Sequence, residues 1–298
     1  MDALELVTRA QACLLGAAVG DALGATVEFL TPSEIRARHG VHRRIRGGGW
    51  LRLRAGQVTD DTEMSLCLAR ALVRVGGWDP RAAAEEFAAW LRSGPVDVGS
   101  TCARGIRRYL HFQTLAAPPC EWDAGNGAVM RVAPAALFSV GDDRLLERVA
   151  VEQARLTHNH PLSDAACVAV GRLVHLALRG APARELLPVA QGLESLHPSF
   201  SFRSGPGPAG GFVGDTLRAV FHSLFTTTSF EQCLVRVVNL GGDADTTGAI
   251  AGAVAGAVYG LGGLPRRWTR RLAKDVREEL LRLGAELVAL SPALRSGR

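Results

Sequence analysis

The chain has 298 residues, 47% of them hydrophobic and 21% charged, enough apolar surface to bury a core and too much to stay disordered. Its formal charge is +5, but the basic residues are scattered and only two tyrosines occur, so no nucleic-acid module is visible. Six cysteines, at 13, 67, 102, 120, 167 and 233, form no CxxC pair and lack histidines at zinc-finger spacing, which places the protein in a reducing, cytoplasmic compartment.

The N-terminus MDALELVTRAQACLLGAAVGDALG carries acids where a secretion signal needs basic residues. Leu4, Val7, Leu14, Leu15 and Ala18 mark the apolar face of a helix over 4–19 that ends near Gly20. A basic cluster follows, Arg36, Arg38, His39, His42, Arg43, Arg44 and Arg46, and runs into Gly47-Gly48-Gly49-Trp50. It reads either as a solvated loop and helix end or as a surface for an anionic partner.

Asp60 and Glu63 resemble a capping box opening a helix that carries Met64, Leu68, Leu72 and Val75 and stops at Gly76-Gly77. Asp79-Pro80 is an N-cap followed by proline at the first helical position, and Ser100 is expected to cap the next helix. Further helices are predicted over 143–156, 162–179, 182–194, 212–226, 230–239, 245–260 and 266–289, with Ser229 and Gln232 as another capping box. The segment SFRSGPGPAGG is a loop and the closing SGR a frayed end.

Gly248, Gly252, Gly256 and Gly260 fall four apart, so they form one stripe on one helix face. Each costs about 1 kcal/mol in helix propensity, which calls for a close neighbour in return. The run from Thr246 to Leu264 is uncharged, yet it begins on Asp243 and Asp245 and is mostly Gly and Ala, so it reads as a buried central helix rather than a membrane span. Strand signals are nearly absent. The expectation is an all-α fold, a single domain over 1–298 with roughly a dozen helices around a Gly/Ala-lined centre.

Two oxygen-rich clusters stand at helix openings, Thr59-Asp60-Asp61-Thr62 and Asp243-Ala244-Asp245-Thr246. Either alone could be an N-cap. Together they carry more carboxylates than capping needs. Carboxylates and hydroxyls without paired Cys or His suit hard divalent cations, and bridging acids would fit a two-metal site. Glu28 is a possible further ligand. Isoprenoid synthases also combine helices with Asp-bound Mg²⁺, but Asp60-Asp61-Thr62-Glu63-Met64 lacks the acid they carry at the fifth place.

In order along the chain, GAAVGDALGATVEF, GQVTDDTEM, AGNGAVMRVAP, LTHNHPLSDAA and NLGGDADTTGAIAGAVAGAVYG resemble the ADP-ribosylglycohydrolase family over about residues 10–265. Within it, SGPVDVGSTCARGIRRYLH and QARLTHNHPLSDAAC look most like members acting on the nitrogenase iron protein. The resemblance implies a compact helical domain with a central dinuclear site for Mn²⁺, with Mg²⁺ or Fe²⁺ as alternatives. It also implies a hydrolase that removes ADP-ribose from a protein arginine and so serves nitrogen fixation.

By resemblance, Glu28, Thr59, Asp60, Asp61, Asp243, Asp245 and Thr246 would hold the metals, and Asp97 would transfer a proton at the ribose. Ser100, Gly125, Asn126, Gly127, His158 and Phe212 would bind substrate, with Ser100 standing where relatives carry Asn and Phe212 where they often carry Tyr. Relatives that act on nitrogenase are held inactive at the membrane through a PII-type signalling protein, which makes 36–46 and 266–271 candidate docking segments with peripheral membrane association. Hydrolysis of another ADP-ribosyl linkage, or ADP-ribose binding without turnover, are the alternatives.

Overall fold

The computed structural model describes residues 2–203, 205–207 and 209–295. The expected frayed end at 296–298 and two positions of the loop, Ser204 and Pro208, lie outside the described residues. The chain forms α1 (Ala3–Gly24), α2 (Pro32–His39), α3 (Asp60–Val75), α4 (Pro80–Arg92), α5 (Ser100–Phe112), α6 (Ala133–Ser139), α7 (Asp143–Arg155) and α8 (Pro161–Leu178). It continues with α9 (Ala183–Leu196), α10 (Val213–Phe225), α11 (Phe230–Val238), α12 (Ala244–Gly263), α13 (Arg266–Thr269), α14 (Lys274–Ala289) and α15 (Pro292–Arg295). Among the described residues only isolated bridges occur and no extended strand.

The glycine stripe sets the centre. A Cβ on Gly252 would stand 2.1 Å from the carbonyl oxygen of Gly16, one on Gly248 2.4 Å from that of Gly20, and one on Gly256 2.1 Å from that of Ala12. α1 returns the contact with Gly16, Gly20 and Gly24, whose Cβ atoms would meet Gly252, Gly248 and Ala244 backbone. Two helices thus touch backbone to backbone, and the packing gained offsets the propensity lost. The same contact carries α1 four residues past the expected stop at Gly20, because Gly20 here is an interior packing residue.

Gly260 departs from the stripe. A Cβ there would meet nothing within 4 Å, and its φ of 64° kinks α12 instead. Arg9 satisfies carbonyls loosened just before the kink, donating from Nη1 to Ala257 O at 2.9 Å and Val258 O at 2.8 Å. Around the central pair pack α14, α11, α10, α8 and α3, with α4 and α5 outside α3, and α7 and α9 flanking α8. α1 and α8 are long and apolar enough to cross a membrane by length and composition, but 61% and 67% of these spans are buried within the protein.

Several expected caps are built differently. Asp60 is the first residue inside α3 and the cap position belongs to Thr59, which makes no side-chain cap bond; Glu63 instead accepts from Trp90 Nε1 at 2.7 Å. Gly99 rather than Ser100 occupies the cap of α5. Ser229 does accept from Gln232 N, but Gln232 reaches back to Thr228 N, one residue beyond the cap. The expected helix over 266–289 breaks at 270–273, where the Gly56 backbone docks on the Arg271 carbonyl. Helix α2 is opened by Pro32 and a complete capping box between Thr31 and Glu34. Helix α6 is buried on all sides and so carries no amphipathic signal.

Candidate active site

Asp21 sits in the middle of an otherwise apolar run of α1 and is fully buried. Its carboxylate accepts from Thr59 N at 3.0 Å, Thr62 N at 3.3 Å and Thr62 Oγ1 at 2.5 Å, so one helix caps the start of another. With Thr59 N and Thr62 N satisfied from α1, Asp60 and Asp61 are not needed as caps and face elsewhere. Burial raises Asp21 to about 6 against the pull of these bonds and of one from Thr59 Oγ1 at 3.1 Å.

Asp60 and Asp61 face a cavity of about 410 Å³ shared with Glu28, Asp97, Asp243, Asp245 and Thr246. Asp243 comes from the cap position of α12, where Gly241 and Gly242 hold φ near 70° and press on the Leu30 and Ala209 carbonyls, gaps that no side chain would fit. Asn126 Nδ2 donates to Asp243 Oδ2 at 2.7 Å and Gly99 N to Asp60 Oδ2 at 3.0 Å. The hydroxyls of Thr59 and Thr246 both lie 3.2 Å from Asp61 Oδ2. Thr59 thus lies behind Asp61 rather than on the cavity wall, and Thr246 reaches both.

The electrostatics of this cluster are one-sided. Burial first, and then neighbouring acids, raise Asp61 and Asp245 well above the usual carboxylate range. Asp60 rises to about 7 through burial and Asp97, and Glu28 to about 8 through burial with Asp243, Asp97 and Asp60 adding to it. No lysine or arginine stands among the main charges acting on Glu28, Asp60, Asp61, Asp97 or Asp245. Asp61 Oδ1 is buried without a hydrogen-bond partner among the described residues. Buried like charges without a counter-charge are strongly unfavourable, and a divalent cation supplies both the charge and the missing partner. Oxygens of Glu28, Asp97 and Asp245 lie within 4.8 Å of one another, within reach of a single ion. The donors are all hard oxygens, which suits a divalent cation of the Mg²⁺ or Mn²⁺ kind.

The far wall holds most of the residues expected to meet substrate. Ser100, Gly125, Asn126, Gly127 and His158 all line the cavity. The Asn126 N–H is spent on Gly211 O at 3.0 Å, and residues 127–131 form a turn before α6. Phe212 is not on the wall: its ring folds over Gly214 of its own helix, and Gly211 lines the cavity in its place.

Trp50, Phe29 and Cys102 are among the wall residues not singled out as site residues from the sequence. Trp50 Nε1 donates to Glu28 Oε2 at 2.6 Å, and its half-exposed ring stands 5.4 Å from that of Phe29, a residue with φ of 60°. Cys102 lies beneath Gly127. Trp50 followed a glycine triplet that marked a turn, but its partner is distant in sequence and no local spacing connects them. The two basic segments also meet: Trp268 Nε1 donates to Arg43 O at 3.1 Å, which brings 36–46 and 266–271 into contact.

A helical fold with glycine-packed central helices and an acid-lined, metal-suited cavity defines a class. The chain belongs to the ADP-ribosylglycohydrolase family, whose model matches residues 2–296. It is 51% identical over 283 residues to the ADP-ribosyl-[dinitrogen reductase] glycohydrolase of Rhodospirillum rubrum, covering 95% of this chain and 96% of that one. It is 33% identical to the ADP-ribosylarginine hydrolase Tri1 of Pseudomonas putida (strain GB-1), over 97% of this chain and 80% of the relative. A solved structure described as an ADP-ribosylglycohydrolase-related protein complex superposes with a TM-score of 0.85 at 36% identity, covering 96% and 99% of the two chains.

Proposed function

We propose that the protein is a metal-dependent hydrolase that removes ADP-ribose from an arginine of a target protein, the nitrogenase iron protein being the target that its relative's name indicates. The observation that carries this reading is the cluster of buried carboxylates, none ion-paired with a lysine or arginine among the described residues, in a cavity whose opposite wall offers polar groups to a ligand. Glu28, Asp60, Asp61, Asp243, Asp245 and Thr246 would hold two divalent cations, Mn²⁺ by family resemblance, with Thr59 supporting Asp61. Cations at such a site orient the ribose hydroxyls and stabilise charge that develops on the sugar.

The chain's own groups then have distinct tasks. The guanidine is a poor leaving group, so a proton must move at the ribose or at the leaving nitrogen. Asp97 is half-buried, held by Val98 N at 2.8 Å, and raised by burial and by Asp243, which suits a carboxyl that carries and releases a proton. Asn126 fixes Asp243, and Gly99 N fixes Asp60, so the acid wall is ordered before substrate arrives.

The test is ADP-ribose release from an ADP-ribosyl-arginine peptide, with Mn²⁺ and then EDTA. Release should require metal and vanish in Asp243→Ala, and Asp97→Asn should lose turnover. Wild-type protein that binds ADP-ribose but releases none under any metal would replace this reading with a binding role or another linkage. The two contacting basic segments, 36–46 and 266–271, are our proposed site for a PII-type regulator. Charge reversal in both segments should abolish PII capture in a pull-down, and unchanged capture would remove the proposal.

A further inference from the structure

His158 is 2% exposed, yet it lines the cavity, and its two ring nitrogens have different surroundings. Nδ1 lies 2.8 Å from Thr157 Oγ1. That same oxygen accepts from Arg131 Nη2, also at 2.8 Å. Nε2 has no partner within the protein among the described residues and lies against the Gly125 and Gly127 backbone, where Cβ atoms would come within 2.9 and 3.2 Å of it. Glycine at both places leaves this nitrogen open to the cavity.

Proton counting fixes the tautomer. A guanidinium only donates, so Thr157 Oγ1 must accept from Arg131. The hydroxyl has one proton of its own, and His158 Nδ1 is its only acceptor among the described residues. If Nδ1 carried the proton instead, the Thr157 hydroxyl would be a donor with no acceptor at a fully buried place, which folded proteins avoid. Nδ1 therefore accepts and Nε2 carries the hydrogen.

We propose that Arg131 and Thr157 are positioning residues that lock His158 as a neutral imidazole, its Nε2–H aimed into the cavity as a hydrogen-bond donor to the ADP-ribosyl group. The inference rests on the hydrolase reading for the identity of the ligand, but the lock stands on the protein alone. Arg131 is itself fixed, with Nε on Gln153 Oε1 at 2.9 Å and Nη1 on Gly127 O at 3.0 Å, so one side chain sets both the loop and the ring. Burial holds His158 down at about 3, with Arg131 and Arg104 adding to the effect, in keeping with a ring that stays uncharged. A donor without charge suits an acceptor oxygen or nitrogen of ADP-ribose and leaves the nearby acids undisturbed.

The experiment is nitrogen-15 NMR of histidine-labelled protein in Mg²⁺, with His158→Asn used only to assign the signal. The expected result is the Nε2–H tautomer, unchanged from pH 5 to pH 9, with a shift of the Nε2 signal on adding ADP-ribose. Thr157→Val should give mixed tautomers and raise KM about tenfold with kcat changed less than twofold, and Thr157→Ser should restore both. An Nδ1–H ring, or titration near 6.5, would overturn the lock. ADP-ribose binding that leaves the Nε2 signal unmoved would overturn the donor role with the hydrolase reading intact; no ADP-ribose binding would overturn both.

Discussion

Two walls of one cavity bury charge in opposite ways. On the acid wall, Asp60, Asp61, Asp243 and Asp245 crowd together, and among the described residues none is ion-paired with a lysine or arginine and one oxygen of Asp61 has no hydrogen-bond partner. Behind the opposite wall a fully buried cation, Arg131, has neutral acceptors at Gly127 O, Gln153 Oε1, Gln153 O and Thr157 Oγ1, and lies 4.7 Å above the Phe87 ring. The arginine is complete within the fold and serves architecture. The acids are incomplete without something from solution, which is what an ion-binding centre requires.

Removing metal should break the comparison most strongly. Chelation should lower ADP-ribose release more than 100-fold, and adding back Mn²⁺ should restore it. The stripped protein should also show an unusual pH dependence. The folded-state acids lie above their unfolded values, at about 6 for Asp21, about 7 for Asp60 and about 8 for Glu28. A group of this kind favours folding while protonated, and that stability is lost as pH rises through its folded value. The metal-free Tm should therefore fall between pH 5 and pH 8, and saturating Mn²⁺ should flatten the trend in calorimetry.

Asp61→Asn sharpens the same point, since it keeps shape and removes one of the repelling charges. Activity should fall more than 100-fold while the Tm in EDTA rises by about 2 °C or more. Arg131→Met should behave in the reverse sense. It strands buried acceptors, costs about 3 kcal/mol in urea unfolding, and does so equally with and without metal. If chelation changed the cost of Arg131→Met as much as it changes that of Asp61→Asn, the two walls would not be independent.

The same contrast explains what could be read in advance. The acid wall was legible because both clusters put oxygen-rich residues at helix openings, a local pattern that needs no knowledge of distant partners. The glycine stripe was legible for the same reason, and its partner helix proved to be α1. Asp21 was not, since inside a helical run an aspartate looks like a surface residue until α3 arrives to donate to it. Its signal was a charge bounded by Val19, Ala22 and Leu23 on a helix with no polar face there. Arg131 and Thr157 were invisible as a pair because 26 residues separate them and only the fold brings them to one ring. The break before α14 was missed because the Gly56 backbone, not any residue of that segment, occupies it.

The smallest expected effect lies at the cavity rim. Trp50 lends Glu28 one hydrogen bond to its ionised form, and that bond works against burial. Trp50→Phe keeps a ring beside Phe29 and removes only the donor. Glu28 should then hold its proton more tightly than at about 8, and a cation must displace that proton to bind. A hydrogen bond to a charged group contributes about 1.5 kcal/mol or more, so Mn²⁺ affinity at pH 7 should weaken about tenfold, as read by isothermal titration calorimetry. The loss should shrink as pH rises past the point where Glu28 is already ionised. A loss that stayed constant with pH would mean that Trp50 acts by packing against Phe29 and not through the carboxylate.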